Sequence, residues 1–259
     1  MADDKPFEGR VALITGASRG IGAATAKALA AKGAHVILTA RDDAALERVE
    51  DEIHQSGGTA TIAPVDLGQN DGVARLAQAI ASRWDALDML VICAAYLPTL
   101  TPVTQIDPKQ FNTAITTNIL ATQALIAGLH PLLKRADAAR VIGLTSSVGD
   151  APRAYWSAYG STKAAFDNLL QSYAQEVANT GAIRVAVIDP GATRTQMRAK
   201  AYPGRRPAER QAARGCRRAD RHAARRRFRD RPPRKDWLTR LSQSRLHPRK
   251  QWQATSMPG

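Results

Sequence analysis

Tyr159 and Lys163 are the residues of this chain whose types and spacing most directly indicate chemistry. Side chains four positions apart share one face of a helix, so a helix here brings the phenol and the ammonium together. A nearby ammonium favours the phenolate and lowers the pKa of a phenol from its usual value of ~10. The pair therefore predicts a general acid or base that works near neutral pH.

A serine hydroxyl precedes this pair along the chain. Ser146 stands thirteen residues before Tyr159, within Thr145-Ser146-Ser147, at the end of a predicted strand. A hydroxyl there can hydrogen-bond to an oxygen near the tyrosine. Ser147 is the less suitable candidate, because its hydroxyl can bond locally to the backbone.

A glycine-rich turn joins the first predicted strand to the first predicted helix. It reads Thr15-Gly16-Ala17-Ser18-Arg19-Gly20-Ile21-Gly22. Glycines at such a turn let the backbone approach a pyrophosphate, and the helix that follows offers free N–H groups to the anion. The alternative is a tight turn that binds nothing.

The elements that must position these residues alternate between strands and helices. Short apolar runs predict buried strands at 11–15, 35–39, 59–65, 89–93, 140–145 and 183–188. Helical spacing predicts helices at 21–31, 43–55, 70–83, 108–134 and 157–179. This alternation predicts an α/β fold with a doubly wound parallel sheet, which binds ligands beyond the carboxyl ends of its strands.

With the TGxxxGxG turn and the YxxxK pair, the sequence resembles the short-chain dehydrogenase/reductase family over residues 8–203. The resemblance implies a three-layer Rossmann fold and hydride transfer between a nicotinamide cofactor and a carbonyl or secondary alcohol. It also implies a catalytic set of Asn118, Ser146, Tyr159 and Lys163. In that set Asn118 holds a water that links Lys163 to solvent; the alternative is a polar residue inside a helix.

The end of the second predicted strand indicates which nicotinamide cofactor binds. A site for NAD usually has an acidic residue there, whereas this chain has Ala40-Arg41. Arg41 and Arg19 suit a 2′-phosphate, because arginine pairs with phosphate through two hydrogen bonds. We therefore expect NADP(H) in preference to NAD(H); the alternative is that both arginines are solvated. Asp42 and Asp43 are expected to begin the next helix.

The resemblance also assigns further cofactor contacts. Asp66, beside Leu67, matches the family residue that contacts adenine, and its alternative role is to cap the following helix. The Pro190-Gly191 motif would wrap the nicotinamide, with Thr193 or Thr195 bonding its carboxamide. The full expected cofactor set is Gly16, Ser18, Arg19, Gly20, Ile21, Gly22, Arg41, Asp66, Leu67, Ala94, Ala95, Tyr159, Lys163, Pro190, Gly191, Thr193 and Thr195.

One segment departs from the family pattern. Cys93-Ala94-Ala95 stands where the family commonly has Asn-Ala-Gly. The missing asparagine removes a hydrogen bond between strands, and the missing glycine distorts the loop if that position needs a positive φ. We expect Cys93 to be a buried small residue and not a nucleophile. Nearby, an apolar substrate mouth is expected from Tyr96, Leu97, Tyr155 and Trp156.

The overall composition excludes several classes of protein. Hydrophobic residues make up 44% and charged residues 23%, which is typical of a globular chain. No apolar run approaches the ~20 residues of a membrane helix, and the N-terminus lacks a signal-type apolar stretch. Two cysteines exclude a disulfide scaffold, and the histidine spacing implies no metal site. We expect a cytoplasmic protein.

The basic charge of the chain is concentrated at its end. Residues 204–259 contain 18 Lys/Arg and 4 Asp/Glu, which accounts for the whole formal charge of +14. We expect residues 1–203 to be the catalytic domain and residues 204–259 to be an Arg-rich tail, in which the family's C-terminal strand and helix are missing or replaced. The tail has three explanations: a change of reading frame, a native disordered segment that binds nucleic acid or an anionic membrane, or a segment that folds on a partner.

Two classes of function follow from these observations. The first is an oxidoreductase that transfers a hydride between NADP(H) and a small carbonyl or alcohol substrate. The alternative is a weakly active dinucleotide-binding protein whose basic tail binds nucleic acid. Assembly into a homodimer or a homotetramer is left open by the sequence, as are the substrate and the direction of the reaction.

Overall fold

A six-stranded parallel sheet forms the centre of the fold, with strand order β3-β2-β1-β4-β5-β6. The computed structural model describes residues 5–69 and 71–203. The strands are β1 Val11–Thr15, β2 His35–Thr39, β3 Thr59–Ile62, β4 Met89–Ile92, β5 Ala139–Leu144 and β6 Ile183–Ile188. All six predicted strands are confirmed. The third ends three residues earlier than predicted, the fourth ends one residue earlier, and the fifth begins and ends one residue earlier.

Helices cover both faces of the sheet. They are α1 Gly20–Ala30, α2 Asp43–Gln55, α3 Gly72–Ala81, α4 Pro108–Ile115, α5 Ala121–Arg135, α6 Ser147–Asp150, α7 Ser157–Glu176 and α8 Gln196–Ala201. The chain runs across the sheet in one direction from β1 to β3 and in the opposite direction from β3 to β6. Because the crossovers are right-handed, the connections of the first part lie on one face of the sheet and those of the second part on the other face. The three-layer fold expected from the sequence is thereby confirmed.

The strand order reverses between β1 and β4. These two strands lie side by side, with Thr15 opposite Ile92 at their carboxyl ends. The connections after β1 and β4 leave in opposite directions, so a crevice opens between them. The glycine-rich turn and the segment after β4 therefore flank the same opening.

Helix α7 lies close against β5 because Gly143 has no side chain. A Cβ atom at this position would lie 2.1 Å from Leu170 Cδ1 and 2.7 Å from Phe166 Cζ. Phe166 and Leu170 are fully buried in the main hydrophobic core. This packing fixes the distance between the helix that carries Tyr159 and Lys163 and the sheet.

The long helix predicted at 108–134 is interrupted. A π-helical turn at Thr116–Leu120 separates α4 from α5, and Asn118 lies within it, almost completely buried. Such wide turns are frequent at functional sites. Helical spacing alone does not reveal the interruption, because the apolar pattern continues through it.

The Arg-rich segment of residues 204–259 lies outside the described residues. The hypotheses on that tail, including a missing C-terminal strand and helix, therefore stay predictions. Within the described part of the chain, β6 is an end strand of the sheet.

We predict that Gly143→Ala lowers the free energy of unfolding by about 1–3 kcal/mol, because the new methyl group overpacks the contact with Phe166 and Leu170. Chemical denaturation of the full chain measures this change. Leu170→Ala provides the control: combined with Gly143→Ala it makes room for the methyl group, so the double variant loses less stability than the two single losses added together. A neutral Gly143→Ala variant would show that this contact does not set the helix position.

Candidate active site

A cavity of about 980 Å³ opens at the carboxyl ends of the strands. Of the four expected catalytic residues, Ser146, Tyr159 and Lys163 lie on its wall, and Asn118 lies behind it. Every residue of the expected cofactor set also lines this cavity, from the glycine-rich turn to Thr195. The residues expected to act in catalysis and those expected to bind the cofactor thus meet at a single cavity.

The glycine-rich turn allows close packing of backbone at the rim of the cavity. Gly16 and Gly20 have φ values of +64° and +60°, which side chains disfavour. A Cβ atom on Gly22 would lie 2.2 Å from the carbonyl oxygen of Gly16. A Cβ atom on Gly16 would lie 2.9 Å from the backbone nitrogen of Ala94. The glycines therefore keep the turn tight and leave the start of α1 accessible.

Two arginines line the cavity beyond the end of β2. Arg41 lies two residues after the end of this strand, and Arg19 comes from the glycine-rich turn. The Asp42 carboxylate accepts a hydrogen bond from the Ala45 backbone N–H at 3.1 Å and so caps α2. The expectation that Asp42 and Asp43 begin this helix is confirmed. The capping contact occupies the carboxylate nearest to Arg41 along the chain.

Asp66 lines the cavity, but it does not cap the following helix. Its Oδ1 accepts a hydrogen bond from the Gly68 backbone N–H at 2.9 Å. Helix α3 begins later, at Gly72, and Asp71 takes the capping position. The alternative role suggested for Asp66 is therefore wrong, because a turn lies between the aspartate and the helix.

The segment after β4 is held by a threonine. Thr15 Oγ1, fully buried, accepts hydrogen bonds of 3.1 Å from the backbone N–H groups of Cys93 and Ala94. Ala95 does not adopt a positive φ, so replacing the family's glycine here strains no backbone. Burial raises the pKa of the Cys93 thiol to about 12, although the charge of Lys163 opposes this shift. The thiol therefore stays protonated, as expected for a residue that is not a nucleophile.

Lys163 is buried, and its ammonium is anchored to the sheet. Nζ donates a hydrogen bond of 2.7 Å to the carbonyl oxygen of Leu144, at the end of β5. It also lies 4.2 Å from the centroid of the Phe166 ring. Burial lowers the pKa of Lys163 to about 8, whereas the charges of Asp167 and Cys93 act to raise it.

Tyr159 lies on the same helix face as Lys163, as the spacing predicts. The ammonium is 6.0 Å from the centroid of its ring. Burial raises the pKa of Tyr159 to about 12, and the carboxylates of Asp189 and Asp167 add to the increase. The expectation of a lowered phenol pKa is therefore wrong for the protein alone, because desolvation outweighs the ammonium. At neutral pH the phenol carries its proton.

Ser146 follows β5 and takes the N-cap position of the short helix α6. Its side chain makes no hydrogen bond to that helix. The residue is half-buried and lies on the cavity wall with Tyr159. A hydroxyl in this position can bond to an oxygen in the cavity.

Asn118 joins three parts of the site. Its Oδ1 accepts a hydrogen bond from the Tyr96 backbone N–H at 2.7 Å. Its Nδ2 donates to the Tyr96 carbonyl oxygen at 3.0 Å and to Thr162 Oγ1 at 2.9 Å. The side chain thus connects the π-helical turn, the segment after β4 and helix α7. Its own carbonyl oxygen accepts a hydrogen bond from Thr122 Oγ1 at 3.0 Å.

The loop after β6 leads into helix α8, which covers part of the cavity. Thr193 Oγ1 donates a hydrogen bond to the Pro190 carbonyl oxygen at 3.1 Å. Thr195 Oγ1 accepts a hydrogen bond of 3.2 Å from the backbone N–H of Arg198 and so caps α8. Met197 then reaches the Tyr159 phenol: its sulfur lies 4.0 Å from the hydroxyl.

An apolar mouth lies next to Tyr159. Tyr96, Leu97 and Trp156 line it, as expected. Tyr155 does not: its side chain is 61% exposed, it is absent from the cavity wall, and its φ is +72°. Met197, Arg198 and other α8 residues also line the cavity without having been expected there, because this six-residue helix is too short to give a clear periodic pattern.

Neither a metal site nor a membrane helix is found in the described part of the chain. No group of three His, Cys, Asp or Glu side chains at 5–69 and 71–203 could hold a metal ion. Among these same residues, no helix combines the length and the apolar character needed to cross a membrane.

Comparison with known proteins agrees with this geometry. The family model described as short chain dehydrogenase matches residues 10–206. The chain is 35% identical over 201 residues to the uncharacterized oxidoreductase YciK of Escherichia coli strain K12, covering 76% of this chain and 79% of that protein.

Solved structures give the same result. A short chain dehydrogenase from Shigella flexneri is 33% identical, with a TM-score of 0.76 over 81% of this chain and 82% of that one. A metagenomic short-chain oxidoreductase in complex with NADP is 34% identical, with a TM-score of 0.68 over 71% of this chain and 83% of that one. Since the family model covers most of the chain and the fold agrees, this protein belongs to the short chain dehydrogenases, a family of oxidoreductases.

Proposed function

We propose that this protein reduces a small carbonyl compound to an alcohol with NADPH. The observation that carries the proposal is that Tyr159, Lys163 and Ser146 share a single cavity with the glycine-rich turn. The reverse oxidation uses the same groups. The Tyr159 phenol is protonated at neutral pH, which suits it to donate a proton in the direction of reduction.

The residues present fit a dinucleotide. Gly16 and Gly22 place no side chain on this tightly packed turn, and the first N–H groups of α1 have no partner within the helix, so they can bind a pyrophosphate. The cavity of about 980 Å³ extends from Arg41 to the Tyr159 phenol. When bound, NADPH supplies the hydride that adds to the carbonyl carbon.

The chain itself supplies orientation and a proton. Ser146 bonds the substrate oxygen and holds it beside Tyr159, which donates its proton to that oxygen. Lys163, fixed on the Leu144 carbonyl, keeps a positive charge near the phenol and stabilises it as the proton leaves. Met197 and the neighbouring rings limit the access of water to the phenol.

The preference for NADP(H) over NAD(H) rests on charge at the end of β2. Arg19 and Arg41 face the cavity, and the nearest carboxylate, on Asp42, is engaged in capping α2. A 2′-phosphate pairs well with guanidinium groups, whereas a 2′-hydroxyl gains little from them. The NADP complex of the related metagenomic oxidoreductase supports the same choice. We further propose residues 1–203 as the catalytic domain.

We predict that Tyr159→Phe lowers kcat for carbonyl reduction about 10²–10⁴-fold, because the proton donor is lost while the ring is kept. NADPH binding, followed by its fluorescence, stays within a small factor of the original value. Tyr173→Phe is the matched control: it removes a hydroxyl from the same helix outside the cavity, where Tyr173 bonds His130. Near-normal turnover by Tyr159→Phe would exclude this phenol as the donor.

We predict that kcat/KM for reduction is level below about pH 8 and falls above it. A lysine whose pKa is about 8 is charged below that pH and neutral above it, so the positive charge beside the phenol is lost as the pH rises. The measurement is a pH–rate profile in steady state. The decline near pH 8 is absent from the slower Lys163→Met variant; a wild-type profile that stays flat to pH 10 contradicts the assignment.

We predict that Arg41→Ala lowers kcat/KM for NADPH about tenfold or more and leaves that for NADH nearly unchanged, since only NADPH carries the 2′-phosphate. Arg48→Ala is the control, because Arg48 is exposed on α2 and does not line the cavity. Equal losses with both cofactors would mean that Arg41 does not read the 2′-phosphate.

A further inference from the structure

Helix α8 brings two cations to the substrate end of the cavity. Arg198 and Lys200 both line the wall. Within residues 5–69 and 71–203, neither forms an ion pair with a carboxylate. Two positive charges therefore face the space beyond Tyr159 with no described counter-ion.

Arg198 has a buried donor that lacks an acceptor. Its Nε is buried and makes no hydrogen bond to any described residue. The guanidinium carbon lies 5.0 Å from the centroid of the Tyr202 ring, which holds the group in place. A buried N–H without an acceptor is costly, so such groups in native proteins usually have a partner.

Lys200 lies two residues further along α8 and has unused hydrogen-bond donors. Its Nζ lies 5.7 Å from the centroid of the Tyr96 ring and donates a hydrogen bond of 3.3 Å to the Leu97 carbonyl oxygen. An ammonium has three donors, so two remain for a ligand. The side chain is exposed at the rim of the cavity and can turn towards an anion.

An aromatic wall connects these cations with the reacting phenol. The Tyr159 and Trp156 ring centroids are 6.2 Å apart, and those of Trp156 and Tyr202 are 5.7 Å apart. Arg198 follows at the far end of this row. A molecule with its carbonyl at Tyr159 would place its body along Trp156 and Tyr202 and its other end at Arg198.

We infer that the substrate is a carbonyl compound with an apolar, preferably aromatic, body and an oxyanion, a carboxylate or a phosphate, at the opposite end. The oxyanion binds Arg198 and Lys200, and arginine suits it because the guanidinium can donate two parallel hydrogen bonds. This inference rests on the proposed reduction and specifies which carbonyl compounds are its substrates.

The test compares three aldehydes that share a biphenyl body, which is long enough to lie along two rings of the wall: 4′-formylbiphenyl-4-carboxylate, its methyl ester and 4′-formylbiphenyl-4-yl phosphate. With the full chain and NADPH, we expect kcat/KM at least tenfold higher for one or both anions than for the neutral ester. The comparison of carboxylate with phosphate identifies which oxyanion is preferred. An ester that is reduced as well as both anions overturns the inference and leaves the proposed reductase intact.

Substitutions in α8 show whether the preference for an anionic substrate depends on Arg198 and Lys200. Arg198→Gln and Lys200→Gln are each expected to bring the anion-to-ester ratio towards one. Arg135→Gln is the matched control and keeps the wild-type ratio. Arg135 ends α5 just before β5 begins, so it lies near the amino ends of the strands, whereas the cavity lies at their carboxyl ends. If Arg198→Gln instead weakens NADPH binding tenfold and leaves the ratio unchanged, the guanidinium serves the cofactor and the inference is wrong.

Equilibrium binding decides the question even without turnover. If none of the aldehydes is reduced, the proposed reduction fails for this class of substrate. Calorimetric titration of each aldehyde in the presence of NADP⁺ then still compares anion with ester. Tighter binding of an anion that is lost in Arg198→Gln supports the oxyanion site, and equal binding overturns it.

Discussion

The hydrogen bond from the Lys163 ammonium to the Leu144 carbonyl joins the chemistry of the site to the frame of the fold. A buried charge is costly unless it is bonded, so helix α7 must remain in place on β5 for this lysine to be accommodated. Gly143, one residue before Leu144, lets the helix approach closely enough for this contact. The position of the Tyr159 phenol follows from the same packing, since both side chains project from one face of α7.

Hydrogen bonds between side chains and the backbone, more than contacts between side chains, set the shape of the cavity. Thr15 holds the backbone after β4, and Asn118 holds the backbone of Tyr96 one step further along. These anchors hold the segment that contains Cys93-Ala94-Ala95 and Tyr96. A site held in this way can accept changes in side chains that point into the cavity, because its walls do not depend on them.

The strands and most of the residues that line the cavity could be predicted from the sequence because they depend on local patterns. Apolar runs define buried strands, and a glycine-rich turn after the first strand must lie at the carboxyl edge of the sheet. The raised pKa of Tyr159 could not be predicted, because it depends on burial by residues distant in sequence. The exposure of Tyr155 could not be predicted either. Nor could the local bond of Asp66, whose turn ends before the helix begins.

The π-helical turn at Thr116–Leu120 has a consequence for how this chain can vary. A wide turn accommodates one more residue than the regular helix on either side of it. Deleting a single residue here would restore regular winding, because the extra residue is what widens the turn. Leu125 and Leu129 would keep their places in the core, but the Asn118 amide that braces Tyr96 would be displaced. Relatives that keep this architecture are therefore expected to retain the length of this segment even where its residues differ.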